Sequence, residues 1–138
     1  MTPAPTESPG RGLTIELTRD AGAPAQARAA IEDFCAAHGV APGTVATLQL
    51  LVSEVVTNAV VHPDVDRNAT ITLRAWPADG AVRVEVRDDG PRFTPRPRDP
   101  DRVAGGFGLY LVEREAVRWG VAPGPTTTVW FEVAERAA

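Results

Sequence analysis

Apolar and polar residues change their spacing along the chain in a way that predicts a succession of strands and helices. In LTIELTR (13–19) they alternate, which predicts a first strand. Apolar residues at helical spacing then predict a helix from Pro24, suited to the first turn, to a stop at Gly39. A second helix is predicted from Thr44 to His62, because a broad apolar face runs along it and a proline follows.

The second half of the chain predicts a hairpin, a long polar loop, a helix and a strand. Segments 70–76 and 81–87 both alternate and are joined by PADG, which predicts an antiparallel hairpin. Residues 88–106 are rich in proline and charge and carry no core pattern, as in functional lids or disordered loops. A third helix is predicted within GFGLYLVEREAVRWG (106–120), with the tryptophan on its apolar side and the final glycine as its stop. The last strand is predicted within TTVWFEV (127–133).

The predicted order of elements is strand, helix, helix, strand, strand, loop, helix, strand. Strands joined by a short turn cannot be parallel, so this is not a doubly wound nucleotide fold. The expected fold class is α+β: a two-layer sandwich in which a mixed, mostly antiparallel sheet is covered on one face by helices. Residues 1–12, rich in Pro, Gly, Ser and Thr, are expected to be a disordered leader before one domain (13–134) and a short tail (135–138).

Composition and charge narrow the function classes. The chain has 138 residues, 43% of them hydrophobic, which is enough for one domain with a real core. A formal net charge of −4 argues against nonspecific binding to nucleic acid or to an anionic membrane, since either needs a basic surface. No segment approaches the ~20 uninterrupted apolar residues of a membrane span and no signal peptide is visible, so a cytoplasmic protein is expected. The lone Cys35 is expected to be a packed thiol.

All of the basic residues are arginines, and lysine is absent. The chain therefore has no Walker-type P-loop lysine, no Schiff base and no strand lysine of the ordinary protein-kinase kind. Any phosphate chemistry must use other groups.

The predicted second helix offers one such set of groups. Glu54, Asn58 and His62 follow one another at i, i+4 spacing and share one edge of the helix. A carboxylate can take a proton from water or a hydroxyl, and an amide oxygen can ligate Mg²⁺. The alternative for this set alone is an ordinary solvated helix edge.

Two further segments carry candidate binding residues. Asp88 and its neighbouring aspartate end a strand of alternating valines before Gly90, so a carboxylate there can ligate a metal, accept a hydrogen bond from an exocyclic amino group, or belong to a plain turn. Gly105, Gly106 and Gly108 precede or open the third helix, where backbone N–H groups can converge on a phosphate; the alternative is a flexible hinge.

The order of these segments is more specific than any one of them. The helix SEVVTN with Glu54 and Asn58, the strand end DDGP from Asp88, the GFGL from Gly106 and the strand opened by Thr128 resemble the N, G1, G2 and terminal threonine boxes of histidine-kinase-like ATPase domains. Taken alone, that threonine is more often a simple β-former. The resemblance covers about residues 13 to 134 and implies the Bergerat-type ATP-binding fold shared with gyrase-type ATPases.

Within that group, the segment LLVSEVVTNAVVH and the final TTVWFEV look most like the corresponding segments of the anti-sigma-factor serine kinases of partner-switching systems and of related ATP-binding regulators. The resemblance implies ATP and Mg²⁺ as cofactors. It implies that the γ-phosphate goes to a serine of an anti-anti-sigma (STAS-type) protein, while the unmodified kinase holds a sigma factor inactive. Such kinases are often homodimers. No nucleic acid or membrane is expected as a direct partner.

The same resemblance implies roles for single residues. Glu54 would be the general base, Asn58 the Mg²⁺ ligand, and His62 would lie near the phosphates. Asp88 would bind the adenine amino group, and Gly90 would shape that pocket. Residues 91–105 would form the lid. Gly105, Gly106, Gly108 and the backbone of Leu109 would hold phosphate. Thr128 would support the adenine-binding Asp88.

One position departs from the family pattern. Arg92 stands where the G1 box usually has its second glycine. An arginine there stiffens the lid entrance, and it can also reach a phosphate as a bidentate donor. A second function class therefore stays open: a module of the same fold that holds a protein partner and uses ATP only as a conformational ligand, or not at all.

Overall fold

The structure is a computed structural model that describes residues 12–61, 70–89, 107–122 and 126–135. In chain order its elements are β1 (Leu13–Leu17), α1 (Ala23–His38), α2 (Pro42–Val61), β2 (Ile71–Ala78), β3 (Ala81–Asp88), α3 (Phe107–Glu115), β4 (Arg118–Ala122) and β5 (Thr127–Ala134). The predicted lid and, up to residue 11, the predicted leader lie outside the described residues.

The five strands form one sheet in the order β1-β2-β3-β5-β4, and all four pairings are antiparallel. The helices cover one face of this sheet, where alternate strand residues such as Leu73, Val84 and Phe131 are fully buried in the core. This confirms the α+β fold class with helices on one face. The sequence predicts a mixed, mostly antiparallel sheet, and the described strands are antiparallel throughout.

The first helix and the hairpin form where local sequence signals predict them. Helix α1 has a proline in its first turn and ends at Gly39, whose φ of 66° is left-handed and whose N–H donates to the carbonyl of Cys35. In the hairpin, Asp79 and Gly80 have φ values of 27° and 80°, as in the turns that suit the twist of two antiparallel strands. Both predictions are confirmed.

Helix α2 lies across the sheet and forms the centre of the core. Eight of its residues are buried, including Leu48, Val52 and Val56. Helix α1 packs beside it, with Arg28 Nη1 donating to Ser53 Oγ at 2.9 Å. By length and composition α2 could cross a membrane, but its burial against the sheet is that of a core helix in a globular fold. The predicted start at Thr44 and end at His62 are within two residues of the observed bounds.

The third helix is shorter than predicted. It ends at Glu115, and the chain then forms strand β4, so Trp119 and Gly120 lie in a strand rather than at a helix end. Trp119 packs against the core, and Gly120 stands opposite Trp130. A Cβ at Gly120 would lie 2.8 Å from Nε1 of Trp130, so the glycine makes room for the indole ring. The apolar spacing of this segment suits a helix and a strand alike, and the sheet edge decides between them.

The face of the sheet away from the helices carries a charged network. Arg83 is 5% exposed, and its guanidinium pairs with Glu85 at 3.1 Å and with Glu132 at 3.0 Å. Arg118 adds a second cation to Glu132 at 2.6 Å. The ring of Trp130 stacks 4.1 Å from the Arg83 guanidinium. These contacts explain why β3 and β5 contain buried residues on both faces.

Candidate functional site

Asp88 lies at the end of β3, on the side of the sheet that the helices cover. It continues the row of Val84 and Val86, and only 3% of it is exposed. A carboxylate is costly to bury unless charged or hydrogen-bonding groups compensate it. The predicted adenine-binding aspartate is therefore buried at the end of β3, and the groups that contact it determine which ligands it can bind.

The main charged partner of Asp88 is Arg19, which the sequence prediction missed. Arg19 Nη2 forms a salt bridge with Asp88 Oδ1, and its Nη1 donates to the carbonyl oxygen of Ala59 at 2.9 Å. The Arg19 side chain is completely buried. A signal was present: in LTIELTR, Arg19 occupies the next inward-facing position after Leu13, Ile15 and Leu17, where another apolar residue would be expected.

The strand register brings a different threonine to Asp88 from the one predicted. Thr127 is directly opposite Asp88 in the β3–β5 pairing and is 4% exposed. Thr128 is opposite Arg87, on the other face of the sheet. Because successive strand residues point to opposite faces, Thr128 cannot support Asp88 as predicted. The run of three threonines at residues 126–128 hides this choice in the sequence.

The two described site residues predicted on α2, Glu54 and Asn58, lie one helical turn apart and are both partly exposed. Glu54 and Asn58 are on a different edge of the helix from Gln49 and Ser53, whose side chains bind α1. Asn58 immediately precedes Ala59, whose carbonyl accepts from Arg19. Arg19 therefore contacts both Asp88 and the residue next to the predicted metal ligand.

The start of α3 is the remaining described part of the predicted site. Gly108 lies in its first turn, and the side chain of Leu109 is 1% exposed, which anchors this turn to the core. The N–H groups at the start of a helix have no partner within the helix and can bind an anion. The other predicted site residues lie outside the described part of the chain: His62, Gly90, Arg92, Gly105 and Gly106.

A metal site at the end of β3 receives no support. Asp88 is paired with Arg19, and the next carboxylate, Asp89, is 3.0 Å from Nε of Arg87. Among the described residues no three His, Cys, Asp or Glu side chains cluster as a metal site would require.

Comparison with known proteins places these residues within one family. The sequence profile of the histidine kinase-like ATPase domain matches residues 17–130. The anti-sigma F factor of Caldanaerobacter subterraneus subsp. tengcongensis is 28% identical over 114 residues, which cover 75% of this chain and 79% of that protein.

The crystal structure of the RsbU and RsbW domains of Rv1364c from Mycobacterium tuberculosis has the same fold, with a TM-score of 0.71 and 26% identity. The match covers 92% of this chain and 33% of the other, so this chain spans about a third of that protein.

Proposed function

Because this chain belongs to the histidine kinase-like ATPase domain family, we propose that it binds ATP with Mg²⁺ and acts as an anti-sigma regulatory factor. In this proposal it transfers the γ-phosphate to a serine of a STAS-type anti-anti-sigma protein and sequesters a sigma factor in the cytoplasm. The observation that carries the proposal is the buried Asp88 with Thr127 directly opposite it, at the ends of adjacent strands. Similarity to an anti-sigma F factor and to a protein with an RsbW domain supports the choice of partners.

The end of β3 is the proposed binding site for the adenine base. The carboxylate of Asp88 accepts a hydrogen bond from the exocyclic amino group, and the hydroxyl of Thr127 supports it from the neighbouring strand. The salt bridge to Arg19 holds the Asp88 carboxylate in place at the end of β3. Gly90 completes this pocket in the proposal.

The edge of α2 and the start of α3 are the proposed binding site for the triphosphate. Residues of both helices fit a magnesium nucleotide, because Asn58 offers an amide oxygen and the first turn of α3, with Gly108 and Leu109, offers backbone N–H groups. Bound Mg²⁺ would neutralise charge on the phosphates. His62, Arg92, Gly105 and Gly106 are proposed further contacts to the phosphates.

Glu54 is the proposed general base. Its carboxylate accepts the proton of the substrate serine hydroxyl as the serine oxygen forms a bond to the γ-phosphorus. The bond from that phosphorus to the bridging oxygen breaks, and ADP leaves. Glu54 is partly exposed, so a serine of a docked protein can reach it. General-base assistance of this kind contributes roughly 10²- to 10⁴-fold in rate.

Calorimetric titration of ATP tests the binding step. We expect saturable binding that weakens at least about tenfold without Mg²⁺ or in Asn58→Ala, because a lost hydrogen bond or ligand to a charged group is worth roughly 1.5–3 kcal/mol. The matched control is Thr57→Ala, which removes an exposed side chain from the neighbouring position of α2 and should bind ATP as the parent does. No heat up to millimolar ATP would contradict nucleotide binding and favour a module that binds only protein.

Transfer of labelled γ-phosphate to candidate anti-anti-sigma proteins tests the kinase step. Label on a serine of the partner, lost in Glu54→Ala, is the expected result. Saturable ATP binding without transfer to any partner that binds the protein would instead support the second candidate function, a regulator that uses ATP as a conformational ligand. Arg92, at the position of a family glycine, is the observation that favours that candidate.

A further inference from the structure

A buried arginine connects the two halves of the proposed nucleotide site. Arg19 follows β1, its side chain has no exposed surface, and its guanidinium contacts two different elements. Nη2 meets the carboxylate of Asp88 at the end of β3, and Nη1 meets the carbonyl of Ala59 in α2. Arg19 therefore lies between the proposed base acceptor and the residue next to Asn58, the proposed Mg²⁺ ligand.

The chemistry of the guanidinium makes this link rigid. Its donors lie in one plane at fixed angles, so two contacts from the same group fix the relative position of both partners. A lysine ammonium in the same place would be a single point charge on a flexible stem and could not set that geometry. The β1 strand holds Arg19 through Leu17, which is buried in the core two residues before it.

We propose that Arg19 is a positioning residue of the nucleotide site, which holds the Asp88 carboxylate aimed at the base and fixes its distance from Asn58. This inference rests on the proposed function and deepens it, because it makes Arg19 a determinant of the preference for a 6-amino purine. A charged carboxylate accepts a hydrogen bond from a 6-amino group and repels a 6-oxo group. If the carboxylate turns away from the base, that discrimination weakens.

An alternative role for Arg19, competition with the adenine amino group for the Asp88 carboxylate, fits the geometry less well. A carboxylate has two oxygens and about four positions that accept hydrogen bonds, so one guanidinium contact does not saturate it. The Arg19 side chain is also completely buried, whereas 4% of the Asp88 side chain is exposed to solvent, from which a ligand must arrive. Competition would predict that removing Arg19 strengthens ATP binding, whereas positioning predicts that it weakens.

The test compares ATP with ITP, which differ in carrying a 6-amino or a 6-oxo group, by calorimetry with Mg²⁺. The full chain should prefer ATP by roughly 10- to 100-fold, the range expected for one hydrogen bond to a charged group. Arg19→Met removes the charge at similar size and should reduce the preference to within about threefold of unity. Arg19→Lys keeps the charge without the two-armed geometry and should give an intermediate preference.

A matched control separates positioning from a general loss of stability. Arg83 is also buried and ion-paired, with Glu85 and Glu132, but on the other face of the sheet. Arg83→Met should lower the midpoint of thermal unfolding and leave the ratio of ATP to ITP affinity unchanged. Each variant is measured at a temperature below its own unfolding midpoint. If Arg19→Met does not fold, Arg19→Lys is compared with the parent protein instead, since the lysine charge keeps Asp88 paired.

The outcomes separate this inference from the function on which it rests. A preference for ATP that survives in both Arg19 variants overturns the positioning role and leaves ATP binding intact. Tighter ATP binding in Arg19→Met overturns it in favour of competition. Binding of neither nucleotide by the parent protein overturns the inference and the proposed function together. A preference lost with Arg19 and kept with Arg83→Met supports the proposal.

Discussion

Thr127 stands directly opposite Asp88 in the antiparallel register of β5 and β3, and both residues are buried on the side of the sheet that the helices cover. The next residue, Thr128, lies opposite Arg87 on the other face. A shift of one residue therefore decides which hydroxyl can join the proposed adenine site. The same substitution, threonine to valine, should therefore affect ATP binding at one position and not at the other.

We expect Thr127→Val to weaken ATP binding and Thr128→Val to leave it unchanged. Valine has nearly the same shape but no hydroxyl, and a typical hydrogen bond of about 0.5–1.5 kcal/mol corresponds to roughly two- to tenfold in affinity. Calorimetry on both variants measures the difference. A larger loss in Thr128→Val than in Thr127→Val would contradict the placement of the site on the helix-covered face.

We expect Glu54→Gln to retain ATP binding and to slow phosphate transfer by roughly 10²- to 10⁴-fold, because glutamine has the same size but cannot take the serine proton. Steady-state transfer to the partner, beside calorimetry on the same protein sample, measures both effects. Glu113→Gln, an exposed glutamate of α3, is the control for a general change of surface charge. Full transfer activity in Glu54→Gln would remove the base assignment.

Gly120→Ala should destabilise the fold by about 1–3 kcal/mol, the usual cost of overpacking. The new Cβ would lie 2.8 Å from Nε1 of Trp130, and the Arg83 guanidinium packs 4.1 Å from the centre of that ring. Gly43→Ala, in the first turn of α2, meets no atom within 4 Å and should be neutral or stabilising by up to about 1 kcal/mol. Urea denaturation with Trp fluorescence measures both; equal effects at the two glycines would contradict the close packing of the β4 edge.

The thiol of Cys35 should make stability fall at high pH. Burial, and secondarily the charge of Glu135, raise its pKa from 9.0 to about 11. The unfolded chain therefore loses this proton first, so the contribution is complete below pH 9.0 and is lost as pH rises toward about 11. The expected slope is at most about 1.4 kcal/mol per pH unit.

Urea unfolding at a series of pH values, compared between the parent protein and Cys35→Ala, isolates the thiol contribution. The variant should be less stable at neutral pH, because it leaves a cavity, and should depend less on pH above 9.0. Identical slopes for the two proteins would show that Cys35 ionises at the same pH in the folded and unfolded chain.

Local patterns were sufficient for most of the elements. Pro24 and Gly39 bound α1 because their backbone preferences act within one turn of the helix, and the turn at Gly80 does the same for the hairpin. The order of the motifs around Glu54, Asn58 and Asp88 also lies in the sequence, and it led to the family that the profile match confirms. The roles of these residues remain proposals.

The errors arose where two distant segments had to meet. The segment containing Trp119 suits either a helix or a strand, and only the free edge of β5 made it β4. Likewise, the choice between Thr127 and Thr128 depends on the register with β3.

The sequence by itself determined the first two helices, the hairpin and the apolar core face, because each depends on residues a few positions apart. The order of the motifs can also be read directly from the sequence. The tertiary structure alone decided strand β4, the threonine beside Asp88 and the pairing of Arg19 with Asp88, which lie 69 residues apart. No periodicity encodes such a pair. It forms because folding buries the one charge against the other, and a buried charge is stable only where its partner is present.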